Sequence, residues 1–234
     1  MPLVKPMLAT PPFYCRAAAY HAFEQAVPRL DSTDGLVAAA IAVSMHELDD
    51  VNPGLVFDVI QSLADEVRSR VKSASPQALV AHLHEVLFDE FDLAGNTEDY
   101  YSTTNSYLPE VIVTKRGLPI TLSLLYKAVA ERIGLQVKGI NAPGNFMVSV
   151  QVDGLQMLVD PFCRGRMLSP KEAETRIEET VGHKIPPGEN VLSEASNRQW
   201  IARIVRNLQA IFFHMGRHRD LAAMQELSEL LPSP

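Results

Sequence analysis

NSYLPEVIVTKRGLPITLSLLYKAVAERIGLQV, residues 105–137, runs into KGINAPGNFMVSVQV (138–152) and then LQMLVDPF (155–162). Gly117-Leu118-Pro119 breaks the chain and places a proline where a first helical residue belongs, because proline has no N–H to leave unpaired there. From Ile120 to Ile133 the residues are apolar on most faces of a helix, which predicts a buried helix. Gly134 ends it as a C-cap. Val137–Ile140, Phe146–Val152 and Leu155–Val159 read as strands, and Asp153-Gly154 between the last two is a hairpin turn signal. Asp160 closes the final strand. Spacing alone gives helices around a small antiparallel sheet, an α+β fold.

Working outward, residues 1–35 form an irregular N-terminal segment. Pro2, Pro6, Pro11 and Pro12 prevent an early helix. AAAYHAFEQAV then forms a short helix that Pro28 closes, and Asp34 is expected to cap the next one. Residues 36–95 read as a bundle of three antiparallel helices. The first is the Ala- and Val-rich run from Leu36 to about Leu48, and the other two start at Asn52-Pro53 and Ser75-Pro76. Their stripes are Leu55, Val56, Val59, Ile60, Leu63 and Val67, then Leu79, Leu83, Val86, Leu87 and Phe91. A polar, turn-rich linker at 94–106 leads into the core segment, 96–185, where Leu108–Thr114 is a short helical turn. Ser169-Pro170 opens a helix with acidic residues in its first turn. In the last segment, 196–234, Asn197–Met215 carries Trp200, Ile204, Leu208 and Ile211 on one face. After a turn at Gly216 a second helix follows, Asp220–Leu231, and Pro232-Ser233-Pro234 ends the chain. The pair has the size of one tetratricopeptide unit, which must pack on something else to bury its face.

The 234 residues suffice for a real core, and an apolar share of 47% with 21% charged is ordinary for a globular protein. Net charge is −7 with no basic stripe, so nucleic acid is not the expected partner. No run approaches a membrane span, and MPLVKPMLATPPFYC lacks the apolar centre of a signal peptide. Two cysteines, Cys15 and Cys163, make neither a disulfide framework nor a zinc site. The expected compartment is the reducing cytoplasm. His82 and His84 point to different helix faces, and His214 and His218 flank a turn, so no metal or other cofactor is expected.

GLPITLSLLY, PGNFMVSV, VDPF and NRQWIARIVRNLQAIF together resemble the SirB-type transglutaminase-like family. That family has a Gly-apolar-Pro-Ile-Ser/Thr-Leu helix start, a Pro-Gly-His-Phe strand start and an Asp-Pro-Phe strand end. It also has an Arg-x-Leu-x-Asn-Leu helix in a C-terminal tetratricopeptide-like region. The resemblance covers roughly residues 36–231. It implies a transglutaminase-like or papain-like core flanked by an N-terminal bundle and a C-terminal helical hairpin.

An active site of this kind sets a cysteine at the N-terminus of the buried helix, a histidine as base and an aspartate to orient it. Here the cysteine position falls on Pro119, with Leu118 and Ile120 beside it, and the histidine position on Asn145, whose amide cannot act as a base. Only Asp160 remains of the three. Asp160 reads either as a relic that orients Asn145 or binds a ligand, or as a carboxylate capping the turn at Pro161-Phe162. Asn145 either donates to Asp160 or serves as a turn residue after Gly144. Asn105, Tyr107 and Cys163 are candidates for lining the pocket, with plain structural roles as the competing reading. Lys115 and Arg116 read as solvated charges, or as steering groups for an acidic ligand.

Three functions follow. The first is a non-catalytic scaffold that binds a peptide or protein in the groove, with no catalytic residues. The second is an enzyme, a hydrolase or acyltransferase, using Asp160 as base or acid with a substitute nucleophile such as Cys163, or with Tyr107 assisting. The third is a regulatory protein acting through an exposed apolar face around Trp200 and Phe212-Phe213.

Overall fold

The computed structural model describes residues 12–72, 75–186 and 188–231. The expected irregularity of residues 1–11 and the proline-rich end at 232–234 lie outside the described residues. The chain is α+β. Nine helices appear among the described residues: α1 Ala17–Ala26, α2 Thr33–Ser44, α3 Pro53–Arg70, α4 Pro76–His84, α5 Leu108–Thr114, α6 Pro119–Arg132, α7 Pro170–Val181, α8 Asn197–His214 and α9 His218–Glu229. Strands β1 Ala94–Gly95 and β2 Arg116–Gly117 pair in parallel. The main sheet contains β3 Val137–Ile140, β4 Met147–Val152, β5 Leu155–Asp160, β6 Arg166–Leu168 and β7 Glu194–Ala195, all antiparallel, in the order β6-β5-β4-β3-β7.

Helix α6 is the centre of the molecule. Every residue from Pro119 to Ala130 is buried, so the helix has no polar face. Lys127 tolerates this because its ammonium donates to the Val137 carbonyl at 2.7 Å and pairs with Glu131. Helices α2, α3, α5 and α8 and strands β3 and β4 all pack on α6. The two faces of β4 alternate as strand geometry requires. Val148, Val150 and Val152 join the main core, while Met147 turns to a smaller cluster with Leu158, Leu168, Ala173 and Ile177 of α7. The sheet is thus covered by α6 on one side and α7 on the other. The main core is continuous from Phe23 in α1 to Leu227 in α9.

Several local expectations needed correction. Ser32, not Asp34, caps α2: its hydroxyl accepts from Gly35 N–H at 3.0 Å, and Asp34 pairs with Arg132. Helix α4 continues as a π-helical stretch, Glu85–Glu90, where i→i+5 bonding replaces the pattern assumed in reading the stripe to Phe91. β6, β7 and the β1–β2 pair are only two or three residues long, too short for a period-two pattern to show. Lys115 and Arg116 are not free charges. Lys115 has a left-handed backbone (φ 62°), donates to the Ile112 carbonyl and lies 3.5 Å over the Phe91 ring. Arg116 pairs with Asp92 at 2.9 Å. Among the described residues no helix is long and apolar enough to cross a membrane.

Trp200 ties α8 to this centre. Its indole N–H donates to the Ile120 carbonyl at 3.1 Å, and its ring lies against Phe146, centroids 4.6 Å apart. The space is available because residue 139 is glycine: a Cβ there would sit 2.5 Å from the indole and 2.9 Å from the Phe146 ring. Gly139→Ala is therefore expected to lose about 1–3 kcal/mol by overpacking. Thermal unfolding should show this as a midpoint lowered by roughly 2–4 °C for each kcal/mol; an unchanged midpoint would contradict the packing described.

Candidate functional site

The first turn of α6 opens into a cavity of about 250 Å³. Leu118, Pro119 and Ile120 supply its floor, the β4 approach supplies Gly144, Asn145 and Phe146, and α8 supplies Arg203, Asn207, Ala210, Ile211 and His214. Tyr100 and Tyr101 form the remaining wall. Pro119 and Asn145, two of the positions singled out in the sequence, are thus brought together. The third is not: Asp160 does not line this cavity.

Asp160 is buried and committed elsewhere. One carboxylate oxygen accepts from the N–H groups of Phe162 and Cys163, at 3.0 and 3.2 Å, and so caps the single 3₁₀ turn Pro161–Cys163. The other pairs with Arg176 of α7 at 2.9 Å. Burial pushes its carboxyl above the ordinary range, and Arg176 with the two N–H groups offsets only part of that. The capped turn holds Phe162, whose ring packs edge-on against Tyr100 at 6.0 Å. Residue 95 must be glycine for that, since a Cβ there would lie 2.4 Å from the Phe162 ring. Asp160 therefore touches the cavity indirectly, through Phe162 and Tyr100.

Asn145 does not donate to Asp160. Its Oδ1 accepts from the Phe146 N–H at 2.7 Å, and its own N–H bonds the Ala142 carbonyl. The first bond fixes the entry into β4.

Asn105, Tyr107 and Cys163, expected as lining residues, lie outside the cavity. Asn105 is a buried brace. Its amide donates to the carbonyls of Asp99 (2.6 Å) and Tyr100 (3.1 Å), its Oδ1 accepts from Asn96, and its carbonyl accepts from Leu118 N–H. It thereby joins the tyrosine wall to the start of α6. Tyr107 donates its hydroxyl to Glu47 at 2.5 Å, and Glu47 also pairs with Arg217 at 2.6 Å. Cys163 receives an N–H from Arg176 at 2.7 Å. Burial, and then the Asp160 charge, push its thiol up. Cys15 is buried near Glu226, and its thiol is pushed up to about 12, first by burial.

Among the described residues no thiol and no aliphatic hydroxyl lines the cavity. Its imidazole, His214, is exposed at the rim. Among the described residues no group of three or more His, Cys, Asp or Glu side chains is placed to hold a metal ion. Sequence reasoning missed Tyr100, Tyr101, Arg203, Asn207 and His214. A signal existed for two of them: Arg203 and Asn207 are the polar residues of the Arg-x-Leu-x-Asn-Leu pattern, four apart on one helix face. The exposed-apolar reading of α8 also fails in part, since Trp200 and Phe212 are buried and Phe213 is exposed.

A model of the transglutaminase-like superfamily matches residues 56–206. A UPF0162 protein of Xylella fastidiosa (strain 9a5c) is 30% identical over 208 residues, spanning 87% of this chain and 74% of the relative. A UPF0162 protein of Pseudomonas aeruginosa is 27% identical over 206 residues, 86% and 68% of the two chains. F-box only protein 21 of Homo sapiens is 25% identical over 179 residues, 72% of this chain and 27% of that protein. No solved structure matches significantly.

A thiol is nucleophilic only as the thiolate. Both cysteines should therefore alkylate with iodoacetamide at pH 7 more slowly than free cysteine, by about tenfold or more for Cys15 given its displacement. Mass spectrometry of the labelled peptides reads each rate. Labelling of Cys163 faster than the free amino acid would contradict the environment described.

Proposed function

The chain belongs to the transglutaminase-like superfamily, and we propose that within it the protein is a non-catalytic scaffold, binding a peptide segment of a protein partner in the cavity at the start of α6. The observation that carries this reading is the occupancy of the nucleophile's place. Pro119 stands at the helix N-terminus where a thiolate would be generated, and it lines an open cavity together with an amide, Asn145. Neither side chain can attack a carbonyl or take a proton from a nucleophile. The shape of a substrate groove persists without groups to perform the reaction.

The catalytic alternative needs Asp160 as base and Cys163 as nucleophile. Against it stand the pairing of Asp160 with Arg176, the raised thiol of Cys163, and the absence of both residues from the cavity wall. Tyr107 is likewise held by Glu47. Action through the C-terminal helices alone has less support, because the face bearing Trp200 and Phe212 is consumed in packing.

Purified protein incubated with a glutamine-bearing peptide and a primary amine, or with the peptide alone, is expected to give no cross-linked or hydrolysed product above the uncatalysed rate. Turnover that Asp160→Ala or Cys163→Ala abolishes, in a variant that still folds, would sink the proposal.

A further inference from the structure

The polar groups around the cavity include one fixed cation, Arg203, and the amide and phenol donors of Asn145, Asn207, Tyr100 and Tyr101. Among the described residues no aspartate or glutamate lines it, in a chain whose net charge is −7. Arg203 is half-buried and has no carboxylate partner among the described residues. Its Nη1 donates to the Ala142 carbonyl at 2.9 Å and to Asn141, and its guanidinium lies 5.5 Å over the Phe146 ring. These neutral contacts fix its position without neutralising it. Burial, and then the neighbouring charge of Arg206, lower its proton affinity, and Tyr100 offsets part of this. The adjoining cavity is lined by Arg203, Arg206 and Asn207 with Asn141, Ala142 and Pro143, which extends the donor-rich tract along α8.

Two further residues lining the same space carry donors. Asn145 is 8% exposed; its Oδ1 is taken by Phe146 N–H, and its Nδ2 has no acceptor among the described residues. At the start of α6, Pro119 has no N–H, and the N–H groups of Thr121 and Leu122 both bond to the Leu118 carbonyl. That leaves the Ile120 N–H without an acceptor among the described residues, at the positive end of a 14-residue helix. A buried amide donor, a helix N-terminus and an unpaired guanidinium converge beside an apolar wall of Tyr100, Leu118 and Ile211.

We propose that this cavity captures the C-terminal carboxylate of a peptide, with Arg203, Asn145 Nδ2 and Ile120 N–H as its donors and the last, apolar side chain against Tyr100, Leu118 and Ile211. The proposal rests on the non-catalytic binding reading and specifies the ligand of that same site. Capture of a chain end by oriented backbone and side-chain donors is an established recognition mode, and a charged acceptor makes each such bond stronger than a neutral one. A cavity of this volume admits a chain end rather than a folded surface.

The test uses ¹⁵N-labelled full-length protein and three probes. These are a pool of N-acetylated tripeptides ending in Leu, Met or Phe as free acids, the same pool as C-terminal amides, and inorganic phosphate. Titrations follow the Ile120 backbone and Asn145 side-chain N–H resonances. The free acids are expected to saturate these shifts at concentrations at least tenfold lower than the amides, and phosphate is expected not to saturate them in that range. Arg203→Met should reduce the acid preference to less than threefold. Asn145→Ala, checked for an unchanged thermal midpoint, should weaken acid binding in the same direction should Arg203→Met not fold. Equal affinity for acids and amides would overturn the chain-end proposal while leaving the groove a binding site. Saturation by phosphate at the same concentration would overturn it in favour of a simple anion site. No shift with either peptide pool would remove both this proposal and the binding function it rests on.

Discussion

One indole organises this molecule. Trp200 projects from α8 into the gap left by the missing side chain at Gly139, lies against Phe146 and donates to the carbonyl of Ile120. Those three contacts belong to β3, the start of β4 and the first turn of α6. A fully buried aromatic ring contributes more to stability than most other side chains, and its hydrogen bond adds about 0.5–1.5 kcal/mol. The larger consequence is geometric. Ile120 and Phe146 both line the cavity, and Arg203 and Asn207 follow Trp200 along α8 at helical spacing. Fixing the indole therefore fixes both walls of the site. The C-terminal helices belong to the site as much as the sheet does.

The chemistry follows from what this frame leaves at α6. A helix N-terminus favours negative charge whatever residue occupies it. With a cysteine there, that field would produce a thiolate. With Pro119 there, the same field acts on whatever anion enters the cavity. Asp160 serves the fold: it caps its own turn, pairs with Arg176 and positions Phe162 against the tyrosine wall. Asn145 fixes the entry to β4 through its Oδ1 and lines the cavity.

Much of the fold was legible because it depends on local chemistry. The residues after Pro119, apolar on most faces of a helix, predicted a buried helix, and Pro119–Ala130 is buried throughout. Asp153-Gly154 predicted the hairpin, and Val152 pairs with Leu155 across it. What stayed hidden depends on distant partners. β7 is a strand only because Ala195 and Glu194 meet β3, and two residues carry no period. The π-helical stretch after His84 is likewise set by packing and not by composition. Pro119 and Asn145, which line the cavity, were singled out because the motifs around them are local. Tyr100, Tyr101 and Arg203 were not, because a tyrosine pair in a polar linker and an arginine on an amphipathic helix look like ordinary surface until the fold brings them together. Asp160 presented the opposite problem: its motif position suggested the site, while its partner Arg176 lies 16 positions further along the chain.

The proposed binding role depends on a field at the start of α6 that favours an anion in the cavity. Pro119→Cys tests it most directly, through the pH dependence of alkylation at the introduced thiol. Cys15 and Cys163, both pushed up by burial, remain slow and separable by mass. The account predicts a thiol pKa at least one unit below the ordinary ~8.5, as helix N-termini and neighbouring arginines produce. A pKa at or above that value in a folded variant would show that the cavity does not favour negative charge, and the binding role proposed for it would lose its physical basis.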